Sequence, residues 1–433
     1  MTVLCLDVGS TWTKGVLVAP SGAVLGVAQH RTTPPEVLDG VAAVTASLGA
    51  ATEVLACSSA GGGLRLAVVG QERLVSAEAG YRVALSAGAK VVHVTTGSLA
   101  PADVRSLRAA APDVVLLVGG TDGGDEKVLL HNASRLASAR LAVPIVLAGN
   151  IEAQPAALAT LSATGRRVVP AANVLPDVGE LAPGPARAAI REVFLRHVIG
   201  GKGLSRGPRF RRMVRTVTPD AVLSGVSRLA GVLAAQHDQP GAVLVVDVGG
   251  ATTDVYSAVS TVDVSVHAVA LPADRRTVEG DLGMRASAPG VVAEAAVERL
   301  AGSPGLAAHA THRHEHVGLV PSTVDDQEVD LEIAQLAVIL AVRRHLRMVD
   351  GQLGPHGAGV LILSGGVFRH ATDLTTFEAT LREHLGPVLR NALVTVDRQG
   401  LLGPAGLLTQ ADHPDVANAL LSTLHAPVDH SAG

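Results

Sequence analysis

Val243-Leu244-Val245-Val246-Asp247-Val248-Gly249-Gly250-Ala251-Thr252-Thr253-Asp254-Val255-Tyr256-Ser257 is the stretch around which the rest of the chain is read. A short apolar run ends on an Asp, two glycines make a turn with no Cβ in the way, and hydroxyls with a second Asp open the next strand. Backbone N–H groups at such a turn can point at phosphate oxygens, the hydroxyls can donate to them, and a strand-end carboxylate can hold a hydrated Mg2+. An Asp-x-Gly-Gly turn also joins ordinary hairpins, for reasons of backbone twist only.

Two further segments favour the phosphate reading. Val3-Leu4-Cys5-Leu6-Asp7-Val8-Gly9-Ser10-Thr11-Trp12-Thr13-Lys14-Gly15-Val16-Leu17-Val18 repeats the plan of apolar strand, Asp, Gly, hydroxyls and second strand, which suggests a duplicated fold. Val360-Leu361-Ile362-Leu363-Ser364-Gly365-Gly366-Val367-Phe368 runs a strand into paired glycines, which let a backbone approach a base or ribose closely.

In this order the three segments resemble the two phosphate motifs and the adenosine motif of the actin, Hsp70 and sugar-kinase ATPase superfamily. The resemblance implies a duplicated actin-like (ribonuclease H-like) α/β fold with ATP and Mg2+ in a cleft between two lobes. Asp7 and Asp247 are then assigned to Mg2+ through water and to orienting the attacking water, without deciding which does which. Gly9, Ser10, Thr11 and Lys14 from one lobe, and Gly249, Gly250, Thr252 and Thr253 from the other, would cradle the phosphates, with Gly365 and Gly366 at the adenosine. Asp254 is read as an acceptor that pins its turn.

Four more segments narrow the likeness: Cys57-Ser58-Ser59-Ala60-Gly61-Gly62-Gly63-Leu64, Val118-Gly119-Gly120-Thr121-Asp122-Gly123-Gly124-Asp125, Ile145-Val146-Leu147-Ala148-Gly149-Asn150 and Glu279-Gly280-Asp281-Leu282-Gly283-Met284-Arg285. They are similar to the glutamate mutase accessory protein family, called MutL or GlmL and unrelated to the mismatch-repair protein of the first name. That resemblance implies an ATP-dependent reactivating factor for an adenosylcobalamin-dependent aminomutase. Spacing and composition by themselves show no cobalamin. A small-molecule kinase of the same superfamily is the alternative; it needs a general base near an acceptor hydroxyl, and no motif declares one. An iron–sulfur type of activator wants cluster cysteines, whereas Cys5 and Cys57 read as buried strand residues.

At 433 residues the chain is long enough for two or three cores. A net charge of −4 gives no general attraction to nucleic acid or to anionic membrane. Two cysteines make no disulfide framework, which fits a reducing cytosol. The first apolar run has no basic region before it and is interrupted by Asp7, so a strand is expected there and not a signal peptide.

Read with that resemblance, the chain divides into residues 1–71 as the N-terminal part of the first lobe, 72–173 as an inserted parallel α/β domain, 174–240 as a return helix and connection, and 241–433 as the second lobe. In 72–173 helical stretches alternate with short strands, the signature of a parallel sheet, and the insert is expected to carry the partner contact. Gly119 to Gly124 lies at a strand's carboxyl end but lacks a Walker lysine, which favours a structural or partner-facing turn. Lys202, Arg206, Arg209, Arg211, Arg212 and Arg215 read as a solvated basic cluster, because no aromatics are interleaved. Val262 to Leu271 reads as a further strand, Gly280 to Gly283 as a loop able to close on nucleotide, and Leu402 to Leu407 as a tight packing segment. His309, His312, His314 and His316 read as a histidine-rich surface loop, with no acidic or Cys pattern supporting a metal.

Overall fold

The computed structural model describes residues 2–424 apart from 61–63, 74, 140, 199–203, 206–207, 238–240, 260–272, 350, 352 and 355. The strand expected at Val262 to Leu271, the glycines at 61–63, Lys202 and Arg206 lie outside the described residues.

In chain order the described strands are β1 (Val3–Val8), β2 (Trp12–Val18), β3 (Val24–Arg31), β4 (Glu53–Ser58), β5 (Arg65–Gly70), β6 (Lys90–Thr96), β7 (Val114–Leu117), β8 (Ile145–Leu147), β9 (Val168–Pro170), β10 (Val214–Thr216), β11 (Ala242–Val248), β12 (Thr253–Ala258), β13 (Asp274–Glu279), β14 (Ala358–Ser364) and β15 (Leu393–Val396). β1 and β11 are apolar on successive residues up to their Asp, so both faces are buried. A run of that kind belongs in the middle of a sheet. β3 alternates half-buried with exposed residues and forms an edge.

The first sheet has the order β10-β4-β1-β2-β3, with β1, β2 and β3 antiparallel and β1, β4 and β10 parallel. The second, β13-β12-β11-β14-β15, repeats that plan strand for strand, antiparallel on one side of the central strand and parallel on the other. The chain is therefore a duplicated ribonuclease H-like, actin-like α/β fold. The third sheet, β6-β5-β7-β8-β9, is all parallel and falls in sequence between β4 and β10. Its first strand, β5, precedes residue 72.

The described chain divides into two compact units, one running to Val222 with the first and third sheets, the other starting at Leu223 with the second. In the first unit the helix Val37–Leu48 buries Val37, Gly40, Val41 and Val44 on one stripe. A Cβ on Gly15 of β2 would lie 2.5 Å from Val44 Cγ1, so glycine is what lets the helix approach the sheet. In the second unit the helix Val324–Met348 starts at Thr323, whose hydroxyl accepts from the Asp326 N–H, and from Leu336 to Val342 every residue is buried, so the helix is enclosed on all sides there. Each fully buried Leu or Ile of such a stretch contributes roughly 1.5–3 kcal/mol. Among the described residues no helix is long and apolar enough to cross a membrane.

One local expectation is corrected, and two others gain detail. The four histidines are not in a loop: His309, His312 and His314 lie on the helix Leu306–Glu315 and His316 ends it. Alanine-rich Leu306 to Ala310 favours a helix, and Arg313 turns inward to hold that helix to its neighbours. Leu402–Gln410 is a helix despite Gly403, Pro404 and Gly406. Pro is tolerated in a first turn, and the buried Asp397 carboxylate accepts from the Leu401 and Leu402 N–H groups to start it. The return helix runs as an α-helix over Pro183–Val193 and continues as a π-helical turn over Phe194–Val198.

Candidate functional site

The β1–β2 turn is built by register. Asp7 stands opposite Lys14 and Val8 opposite Thr13, leaving residues 9–12 as the turn. Gly9 N–H donates to the Trp12 carbonyl at 3.0 Å, and a Cβ on Gly9 would meet that same oxygen at 2.8 Å. The turn therefore requires glycine here. Thr32 holds it from one side, its hydroxyl donating to the Gly9 carbonyl at 2.8 Å and its N–H to the Thr11 carbonyl at 2.9 Å. Ser10 and Thr11 stay exposed, and Asp7 and Lys14 are half-buried.

Asp7 Oδ1 accepts a 2.6 Å hydrogen bond from the Thr218 hydroxyl, at the start of the helix Thr218–Gln236. Cys57, beside Asp7 on β4, directs its thiol to the same oxygen at 3.7 Å. Burial first, and then the charge of Asp7, push the Cys57 thiol well up, and burial pushes Cys5 to about 12. Both cysteines are buried and free. Ser58 and Ser59 close the end of β1, through the Ser58 hydroxyl and the Ser59 N–H, both donating to the Val8 carbonyl at 3.1 Å.

The β11–β12 turn repeats this construction. Asp247 stands opposite Asp254 and Val248 opposite Thr253. Gly249 N–H donates to the Thr252 carbonyl at 2.9 Å, and a Cβ on Gly249 would come within 3.0 Å of that oxygen. Asp247, Gly249 and Thr252 are half-buried and Gly250 exposed. Thr253 is buried and its hydroxyl donates to the Leu282 carbonyl at 2.6 Å, so it braces the turn from inside. On β14, Ser364 is in register with Asp247, and a Cβ on Gly365 (φ +122°) would lie 2.4 Å from the Val248 carbonyl oxygen. Gly365 and Gly366 therefore sit at the same sheet end as Asp247 and Gly249, with open space beside Gly366.

β12 and β13 share a buried ion pair. Arg276 Nε donates to Asp254 Oδ1 at 2.8 Å, and the guanidinium lies over the Tyr256 ring, 5.8 Å from its centroid. Burial pushes the Asp254 carboxyl up, Arg276 opposes that rise, and the charge of Asp247 adds to it.

The segment Glu279 to Arg285, whose Gly280 to Gly283 was expected as a loop able to close on nucleotide, backs the β11–β12 turn. Met284 N–H donates to the Gly249 carbonyl at 2.9 Å and Arg285 N–H to the Gly250 carbonyl at 2.8 Å. The Ser287 hydroxyl donates to the Ala251 carbonyl at 2.8 Å, and a Cβ on Gly283 would lie 2.4 Å from the Ala251 carbonyl carbon. The Arg285 side chain runs to Asp330 at 2.6 Å, and Asp330 also accepts from Arg313 at 2.5 Å. Arg313 is fully buried. Thr218, Ser287, Arg285, Asp330 and Arg313 were not singled out from the sequence for these roles. Arg285 ends the quoted Glu279 to Arg285 segment and Ser287 lies two residues beyond it, and that adjacency was the available signal.

In the third sheet the Gly119 to Gly124 turn is satisfied internally. Asn173 Nδ2 donates to the Gly120 carbonyl and to Asp122, Asn150 Nδ2 to the Gly124 carbonyl, and Gly123 N–H to Glu152. Arg209, Arg211, Arg212 and Arg215 are exposed around Arg209–Met213 and β10.

The chain is 15% identical to a xylulose kinase from Rhodospirillum rubrum, covering 97% of this chain and 92% of that one at a TM-score of 0.36. It is 11% identical to the activator of the 2-hydroxyisocaproyl-CoA dehydratase from Clostridium difficile with bound ADPNP, covering 98% of each chain at a TM-score of 0.32. The sequence relationship is stronger. The chain is 32% identical to protein MutL of Clostridium tetanomorphum over 96% of this chain and 97% of that protein. The family model for MutL protein matches residues 3–424. With both turns, the Gly119 to Gly124 segment and the Glu279 to Arg285 segment inside that match, the chain belongs to the MutL family.

Proposed function

We propose that the chain is an ATP-dependent accessory factor that keeps an adenosylcobalamin-dependent aminomutase active. The observation that carries the nucleotide part is the repeated turn: two sheets of one topology each carry an Asp next to last on their central strand, then directly after the strand a glycine whose N–H closes on the residue three further on. MutL family membership supports the accessory role.

The donor set suits Mg2+ and phosphate. Half-buried carboxylates at strand ends are the hard oxygen donors that a hydrated Mg2+ takes. Exposed hydroxyls and glycine N–H groups suit phosphate oxygens. Mg2+, when bound, neutralises charge on the phosphates. Asp7 and Asp247 serve Mg2+ through water and orient the attacking water. Gly9, Ser10, Thr11, Lys14, Gly249, Gly250 and Thr252 contact phosphate. Thr253 contributes by holding its turn, and Gly365 and Gly366 leave room for the nucleoside. The Thr218 hydroxyl fixes the rotamer of Asp7, so that its carboxylate needs little reorganisation when the metal arrives.

Nucleotide can drive a cycle on a partner only if it binds the partner-holding and partner-released states with different affinity. The insert between β4 and β10 offers surface beyond what the two turns need, and we assign it the mutase contact. The test inactivates a mutase on damaged cobalamin, then adds this protein, ATP, Mg2+ and fresh adenosylcobalamin. Recovery of activity that depends on ATP supports the proposal. No recovery, with a hydroxyl-bearing small molecule phosphorylated instead, assigns the chain to the kinases.

A further inference from the structure

The helix Leu306–Glu315 ends in His312-Arg313-His314-Glu315-His316. Residues three and four apart share a helix face. The His312 and His316 rings accordingly lie 4.3 Å apart by centroid. One ligand atom each from His312, Glu315 and His316 falls within 4.8 Å of the other two, and all three residues are exposed.

Two features fit this face to a cation. His316 Nδ1–H donates to the His312 carbonyl at 2.9 Å, which orients the ring and leaves Nε2 with its lone pair. The cation between them in sequence, Arg313, is buried and bound to Asp330, so it adds no guanidinium to the histidine face. His314 is engaged elsewhere, its Nδ1 donating to the Ala286 carbonyl at 2.7 Å.

We propose that His312, Glu315 and His316 bind one first-row transition-metal ion of the Zn2+ class. Two imidazoles and one carboxylate are ligands that Zn2+ accepts in a tetrahedral site whose fourth position is left to water or to a ligand from outside. The three donors must close by about an ångström or more to meet Zn–N and Zn–O bonds of about 2.0–2.2 Å. Exposed side chains at a helix end can make that movement without disturbing a core. This site shares no residue with the two glycine turns, and its test is independent of the nucleotide proposal.

The full-length, metal-stripped and nucleotide-free protein is titrated with Zn2+ in competition with a chromophoric chelator. One equivalent is expected to bind. His312→Ala and His316→Ala should each weaken that equivalent by at least about tenfold, since even outer partners of metal ligands are worth about 10–100-fold. His309→Ala, one turn earlier on the same helix, should leave it unchanged, and circular dichroism should be the same for all four proteins. Absence of a stoichiometric Zn2+ in the parent protein overturns the proposal. So does a bound equivalent that survives the double variant His312→Ala/His316→Ala.

Discussion

Asp247 and Asp254 stand directly opposite each other across the β11–β12 hairpin, at the place where the first sheet pairs Asp7 with Lys14. Two carboxylates in facing positions repel, and Arg276 relieves this by binding Asp254 through a buried guanidinium. The two lobes have thus answered the same problem differently, one with a lysine on the facing strand and the other with an arginine on the strand beyond.

Asp254→Ala is expected to cost about 3–5 kcal/mol of stability, because it takes the carboxylate partner from a buried guanidinium. Chemical denaturation measures it. A loss below about 1 kcal/mol would mean that Arg276 finds water or another partner.

Asp247→Asn keeps the shape of the strand end and removes the charge. It should lower ATP hydrolysis on the order of a hundredfold, as loss of a positioned electrostatic group does, while the melting temperature stays put. Unchanged turnover with unchanged melting would give Asp247 a structural part only.

Asp330→Ala leaves Arg285 and Arg313 without their shared carboxylate, and both are well buried. A loss of about 3–5 kcal/mol is expected. The Gly249 to Ala251 turn, which Arg285 holds by its backbone, should bind Mg·ATP more weakly under conditions where the variant is still folded. Destabilisation with undiminished nucleotide affinity would detach Arg285 from the turn.

His345 is buried between the hydroxyls of Thr277 and Ser257, and burial, with Arg275 nearby, lowers it from 6.5 to about 3. The unfolded chain takes up a proton there that the folded chain refuses. Stability from this group is therefore fully present above about pH 6.5 and declines as pH falls towards 3, with a slope approaching about 1.4 kcal/mol per pH unit. In His345→Gln that part of the acid slope should vanish. Equal slopes in denaturation series at several pH values would contradict it.

Both glycine turns were legible because an apolar run ending on Asp-x-Gly is a local pattern, complete within about a dozen residues. Counting seven residues on from each Asp also finds Lys14 and Asp254, the facing positions, without coordinates. Thr218 was not legible as the partner of Asp7, since 211 residues separate them and only the return of the chain after the third sheet brings them together. Arg285 and Asp330, 45 apart, are joined by a fold in the same way. The histidine helix was misread because four imidazoles suggested a polar loop, while the inward position of Arg313, one step off the histidine face, was the helical signal. β5 carries no mark of which sheet it joins, because that is set by pairing with β6 and β7 further along the chain.

The central claim is that the two turns handle the phosphates of Mg·ATP, and isothermal calorimetry with the full-length protein tests it most directly. One ATP per chain should bind in the presence of Mg2+, with affinity falling at least about tenfold for a Gly249→Val variant that still melts like the parent, since a side chain would displace the backbone from the phosphates. No binding of Mg·ATP to the folded parent protein, or equal binding by parent and variant, would contradict it.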